Sequence, residues 1–133
     1  MNTKIQIITD KLVDFDVSAE VDMLSTAKNT ADALDNVINY HPAIVFIDYE
    51  LEKENTGVFI KTILAESPNS KIILLGRELS DDVVVSCLFI GAFGYLNWAD
   101  KSRFFNKLID VVAKGEAWFS RRIVGLALKN IHG

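Results

Sequence analysis

The 133-residue chain has one cysteine, two prolines and no apolar segment of membrane-spanning length. The lone Cys87 excludes a disulfide framework and a cysteine-rich zinc site. The longest uncharged stretch, residues 83–99, is shorter than the roughly 20 apolar residues of a spanning helix, so we predict no membrane association. No signal-peptide pattern follows Met1, which predicts a cytoplasmic protein.

Positive charge is also scarce. The chain has 14 basic and 18 acidic residues and a formal net charge of −4. Phosphate backbones are bound by a concentrated basic face, which this composition does not provide. We therefore do not expect these residues to bind nucleic acid by themselves. The length fits one domain.

Five short apolar runs alternate with segments of helical periodicity. The runs cover residues 5–8, 22–25, 43–47, 71–75 and 93–96, and the helical segments cover residues 30–40, 57–67, 83–90 and 102–114, with a last helix after Ser120. In that last helix the apolar residues expected to face inward are Ile123, Val124, Ala127, Leu128 and Ile131. The third and fourth runs are continuously apolar, as in strands covered on both faces by helices. The alternation predicts an open, doubly wound α/β sheet.

In such sheets, ligands bind beyond the carboxyl ends of the strands. The residues at those ends are Thr9 and Asp10, Asp48, Gly76 and Arg77, and Asn97 and Trp98. If the first and third strands are neighbours, Asp10 and Asp48 converge, and a hard cation such as Mg²⁺ would relieve their repulsion. The alternative is two solvated loop aspartates.

The motifs at these strand ends resemble the receiver domain of bacterial response regulators. They are Ile-Ile-Thr-Asp at 7–10, Phe-Ile-Asp at 46–48, Ile-Ile-Leu-Leu at 72–75 and, most specifically, Gly-Ala-Phe-Gly-Tyr-Leu at 91–96. The Ala-Lys-Gly-Glu-Ala-Trp-Phe-Ser segment at 113–120 resembles the exit of NarL/FixJ (LuxR-type) receivers. The resemblance implies a flavodoxin-like (CheY-like) five-stranded parallel sheet in the order 2-1-3-4-5. It also implies a receiver domain over 1–116 and a linker helix over 117–133, leading toward a DNA-binding output domain that this sequence does not contain.

The resemblance further implies a regulatory role and no enzymatic one. Asp48 matches the phosphoryl acceptor, with a histidine kinase or a small phosphodonor as the source. Mg²⁺ would be held by Asp10, Asp48 and the backbone carbonyl of Glu50. Tyr95 matches the switch aromatic. A homodimer would form through the face of the fourth helix, fifth strand and fifth helix.

Several positions depart from the family pattern. Thr9 stands where a second acid is usual, Gly76 replaces a Ser or Thr that bonds the phosphoryl group, and Trp98 replaces the phosphoryl-pairing Lys. Lys101 would substitute for that lysine only in a rebuilt loop. The connection after Asp10 is short, so the first helix, within residues 11–20, is expected to be short or distorted.

Three hypotheses about function follow. Because the phosphoryl group would lose its hydroxyl and ammonium partners, we expect a receiver that is phosphorylated poorly or not at all and acts as an interaction or dimerisation module. The alternative is that Asp48 and Asp10 still support Mg²⁺-dependent phosphorylation with an altered switch. A third hypothesis, a flavodoxin-like domain for a small ligand, lacks the hydroxyl-rich phosphate loop that it would need.

Overall fold

The computed structural model describes residues 2–11, 14–27 and 29–132. Its strands are β1 (Thr3–Ile8), β2 (Val21–Ala27), β3 (Ile44–Asp48), β4 (Lys71–Gly76) and β5 (Ala92–Asn97). Its α-helices are α1 (Thr30–Tyr40), α2 (Tyr49–Glu52), α3 (Thr56–Glu66), α4 (Asp81–Ile90), α5 (Lys101–Ala113) and α6 (Arg121–His132). Short 3₁₀ turns span Lys53–Asn55 and Trp98–Asp100.

The five strands form one parallel sheet in the order β2-β1-β3-β4-β5, which confirms the predicted fold class and strand order. All five residues of β3 are buried, as are five of the six in β4. The two continuously apolar runs therefore form central strands, because helices cover both faces of the sheet there. The carboxyl ends of β1, β3 and β4 lie side by side at one edge of the sheet.

Helices cover both faces of the sheet. One face packs against buried residues of α1 and α3, namely Ala33, Val37, Phe59, Ile60 and Ile63. The other packs against buried residues of α5, namely Phe105, Leu108, Ile109 and Val112. This two-sided burial is the doubly wound architecture that the sequence predicts.

The connection from β1 to β2 differs from the prediction. Residues 14–20 contain no helix, so the short first helix predicted there is wrong for the described residues; residues 12 and 13 lie outside them. Phe15 and Val17 alternate with Asp14 and Asp16, and this period of two is typical of extended chain rather than helix. Both apolar side chains pack against the α5 face of the core.

Helix α5 holds this extended segment in place. The Phe15 ring lies 4.9 Å from the Phe105 ring, centroid to centroid. Asn106 of α5 accepts from the Ser18 amide and donates to the Asp16 carbonyl, and the Lys101 ammonium donates to the Asp14 carbonyl. An extended strap thus covers the sheet where a helix was expected.

The predicted boundaries of the later helices are confirmed within a residue or two. Ser80 caps α4 by accepting from the Val83 amide, and Ser120 accepts from the Ile123 amide at the start of α6. Gly115, at φ +92°, follows the end of α5, where a left-handed backbone favours glycine. None of the helices among the described residues is long and apolar enough to cross a bilayer.

The segment after α5 folds back onto the domain. The Trp118 amide donates to the Phe93 carbonyl and its carbonyl accepts from the Tyr95 amide, both at 3.0 Å, which places Trp118 alongside β5. Ile123 of α6 is buried against Val84 and Val85 of α4. Residues 118–132 therefore pack on the receiver fold in this structure, and the predicted division after residue 116 stays a prediction.

Only part of the apolar face of α6 is covered. Ile123 and Ala127 are buried, but Val124, Leu128 and Ile131 are 44%, 50% and 63% exposed. The prediction that all five face inward is wrong for these three, because α4 covers one side of the apolar arc and leaves the other in water.

The face predicted for a homodimer is partly covered within the chain. Val84 and Val85 of α4 are packed against α6, Trp118 lies along β5, and the Phe104 ring of α5 lies 6.0 Å from the Trp118 ring. These apolar groups are therefore satisfied within the chain. The homodimer through the face of α4, β5 and α5 stays a prediction, and Phe89 of α4 remains 49% exposed.

Candidate functional site

The sheet brings the predicted site residues to one edge. Ile8 of β1 pairs with Ile47 of β3. Thr9 and Asp48, the next residue in each case, therefore lie beside each other at the ends of adjacent strands. Gly76 ends β4 and pairs with Asn97, immediately before Trp98. This edge is where an open α/β sheet binds ligands.

Asp48 is fully buried, and both oxygens of its carboxylate are engaged. Oδ2 accepts from the Thr9 hydroxyl at 2.7 Å and from the Lys11 ammonium at 2.8 Å. Oδ1 accepts from the Glu50 amide at 3.0 Å, which caps the first turn of α2. A buried carboxylate needs such donors, because burial without them would be costly.

Lys11 is the functional residue that the sequence reasoning missed. Its ammonium pairs with Asp48 and lies 5.6 Å from the centroid of the Trp98 ring, within range of a cation–π contact. The Thr9 hydroxyl also accepts from the Lys11 amide at 3.1 Å. The signal was its position just past the end of one strand, opposite the carboxylate at the end of the neighbouring strand.

Leu79 occupies the space above Gly76. A Cβ atom added at Gly76 would lie 2.5–2.8 Å from three side-chain carbons of Leu79, well inside van der Waals contact. The volume in which a Ser or Thr side chain would stand is therefore filled by a leucine. No hydroxyl at this strand end faces Asp48.

Tyr95 is tied to the same loop. Its hydroxyl accepts from the Leu79 amide at 3.0 Å and donates to the Gly76 carbonyl at 3.3 Å. Burial raises the pKa of the Tyr95 hydroxyl above its ordinary value, which favours the protonated form. The aromatic predicted as a switch is anchored to the backbone at both ends of the loop.

Trp98 begins the 3₁₀ turn after β5, where Asn97 caps the turn by accepting from the Ala99 amide. The Trp98 ring lies 6.0 Å from the Phe15 ring of the strap. Its indole N–H is buried, and none of the described residues accepts from it. The Lys101 ammonium donates to the Asp14 carbonyl of the strap and lies 5.1 Å from the centroid of the Phe15 ring.

The Mg²⁺ site that the resemblance implies, two carboxylates and the backbone carbonyl of Glu50, stays a prediction. Asp10 is exposed, and Glu50 contributes its amide to Asp48. Within residues 2–11, 14–27 and 29–132, no three acidic, histidine or cysteine side chains gather into a group able to hold a metal ion. The Lys11 ammonium is the cation that contacts the buried Asp48 carboxylate among the described residues.

Comparison with known proteins agrees with this fold. No family model matches the chain. The chain is 21% identical over 129 residues to the DNA-binding transcriptional activator DevR/DosR of Mycobacterium tuberculosis (strain ATCC 25618 / H37Rv), covering 96% of this chain and 59% of that protein. It therefore spans well under two thirds of the length of this relative.

Solved structures show the same architecture. A LuxR-family two-component response regulator from Aurantimonas sp. SI85-9A1 superposes with a TM-score of 0.78 at 15% identity, with both chains fully covered. The receiver domain of RcsB from Salmonella enterica serovar Typhimurium, with the phosphomimetic BeF₃⁻, gives 0.75 at 13% identity over 95% of this chain and 99% of that one. The receiver domain of the putative regulator NarL from Mycobacterium tuberculosis gives 0.74 at 17% identity, over 86% and 98%. The chain has the fold of receiver domains.

Proposed function

We propose that the chain is the receiver domain of a LuxR-type two-component response regulator whose Asp48 is phosphorylated poorly or not at all. The fold, the strand-end position of Asp48 and the similarity to a transcriptional activator support a regulatory, non-enzymatic role. The observation that carries the proposal is the Asp48 carboxylate, which is buried with both oxygens held by donors of the same chain.

Phosphorylation would require one Asp48 oxygen to attack phosphorus in line while cations neutralise the developing charge. In this structure Oδ2 is held by two donors, and no hydroxyl stands at Gly76. Attack would first have to break charge-assisted hydrogen bonds, each worth about 1.5–3 kcal/mol. The geometry therefore favours a receiver that acts through protein contacts in one fixed state.

The partners follow from this role. A histidine kinase is a partner only if Asp48 accepts a phosphoryl group. DNA binding, which is named for the Mycobacterium relative, is assigned to an output domain and not to this acidic chain. Dimerisation is the proposed route of regulation, and a cytoplasmic location fits it.

The test is intact mass spectrometry of the full chain after incubation with acetyl phosphate and Mg²⁺. In a transfer, acetate leaves and one phosphoryl group is added to Asp48. We expect no such gain in the wild type, and none in the matched Asp48→Asn variant. A phosphoryl gain in the wild type that disappears in Asp48→Asn would overturn the proposal and support the phosphorylation-competent alternative.

A further inference from the structure

Lys11 brings to the Asp48 site a positive charge that the sequence pattern did not predict. Lys11 places its ammonium 2.8 Å from Asp48 Oδ2, and its side chain is only 27% exposed. Lysines of a solvated loop extend into water, because fixing this long side chain costs about 1.5–2 kcal/mol of rotamer entropy. The ordered position of Lys11 therefore requires specific partners.

Three contacts supply them. The Asp48 carboxylate accepts from the ammonium, the Trp98 ring faces it at 5.6 Å, and the Thr9 hydroxyl fixes the Lys11 amide. Two of these partners, Thr9 and Trp98, are positions where this chain departs from the receiver pattern. The departures and the lysine form one arrangement: the hydroxyl aligns the carboxylate, and the indole face accepts a cation.

A divalent ion competes with this arrangement for the same oxygen. Mg²⁺ binds carboxylate oxygens at about 2.0–2.1 Å in near-octahedral geometry. An ammonium already in contact with Oδ2 would lie within a few ångströms of that ion. At that distance like charges repel strongly even with substantial screening. Lys11 and a metal ion therefore compete at Asp48 Oδ2.

We propose that the Lys11 ammonium is the resident cation of the Asp48 site, and that it weakens the binding of divalent metal ions there. The inference rests on the proposed function, since it names the group that holds Asp48 in its fixed state. Its consequence is a gain of affinity: removing the Lys11 charge while keeping Asp48 strengthens metal binding at this site.

The experiment compares Mg²⁺ and Mn²⁺ binding by isothermal titration calorimetry in full-chain variants. Lys11→Met keeps the aliphatic stem and removes the charge, Lys11→Gln is a second neutral variant, and Lys11→Arg keeps the charge. Lys101→Met is the matched control, because that ammonium is held by the strap and not by Asp48. The double variant Lys11→Met/Asp48→Asn tests whether any new binding uses Asp48.

We expect both neutral Lys11 variants to bind Mn²⁺ at least about tenfold more tightly than the wild type, Lys11→Arg or Lys101→Met, since tenfold requires only about 1.4 kcal/mol of relieved repulsion. Bound metal should also raise the melting temperature of those variants and not that of the wild type. The double variant should lose the gain. Equal binding in the wild type and folded neutral variants would overturn the inference, as would a gain that persists without Asp48.

The two proposals fail separately. Phosphoryl transfer to wild-type Asp48 would refute the proposed function, whatever the Lys11 variants do with metal. An unphosphorylated wild type with neutral Lys11 variants that gain no metal would leave the proposed function standing and refute the role of Lys11.

Discussion

At the end of β3, one buried carboxylate is held by three donors that come from two segments of the chain. Thr9 and Lys11 follow β1, and the Glu50 amide belongs to α2. Because Asp48 has no exposed surface, losing any of these donors leaves part of its charge without compensation. The chemistry available to the site is therefore limited by contacts the chain has already made.

At Gly76, the side chain of another residue fills the space that a Ser or Thr side chain would occupy. The Leu79 side chain occupies the volume that a side chain at Gly76 would need. We expect Gly76→Ser to lower the free energy of unfolding by about 1–3 kcal/mol, because overpacking forces Leu79 to move. Urea denaturation of the two proteins measures this difference.

The control for this substitution is the double variant Gly76→Ser/Leu79→Ala. Shortening Leu79 removes the three carbons that the new Cβ would meet. If the overlap is the cause, adding Ser to the Leu79→Ala background costs clearly less than adding it to the wild type. An equal cost in both backgrounds would contradict the overlap.

At the scale of elements, α6 behaves as part of the domain rather than as a free linker. It lies against α4 through Ile123 and adds an ion pair between Arg122 and Asp81 at 2.9 Å. That ion pair is well exposed, so it contributes little. Buried apolar contact is the main force that docks the helix.

We predict that Ile123→Ala lowers the free energy of unfolding by about 2–4 kcal/mol, because Ile123 is only 5% exposed. Ile131→Ala on the same helix is the matched control: Ile131 is 63% exposed, and its truncation should cost no more than about 0.5 kcal/mol. Urea denaturation, with hydrogen exchange of the α6 amides, measures both. Equal costs for the two variants would show that α6 is not docked through Ile123.

The sequence predicted the positions of strands and helices better than it predicted which residues pack against them. Continuous apolar runs identified β3 and β4, and Ser120 marked a helix start that the structure confirms. The alternation of Phe15 and Val17 was overlooked, so an extended strap was mistaken for a distorted helix. Residue spacing identifies the apolar face of a helix such as α6, but it does not show which part of that face a neighbouring helix will cover.

For the whole molecule, the same limit applies to the site. The sheet edge and its residues followed from strand ends, and the loss of the usual hydroxyl and lysine was readable at Gly76 and Trp98. The residues that take their place, Lys11 and Leu79, could not be predicted, because they reach the site from loops whose paths depend on tertiary packing. The structure combines a receiver fold with a site that is filled from within the chain and an outer face that α6 covers only in part.

The most direct test of this account is a ¹H–¹⁵N correlation spectrum of the full chain, recorded with and without Mg²⁺ and the phosphomimetic BeF₃⁻. A site already filled by Lys11 predicts that amide shifts at residues 9–11 and 48–50, at Tyr95 and along α4 stay unchanged. Shifts that start at Asp48 and spread through Tyr95 to α4 and α6 would contradict it, because they would show a working phosphoryl switch.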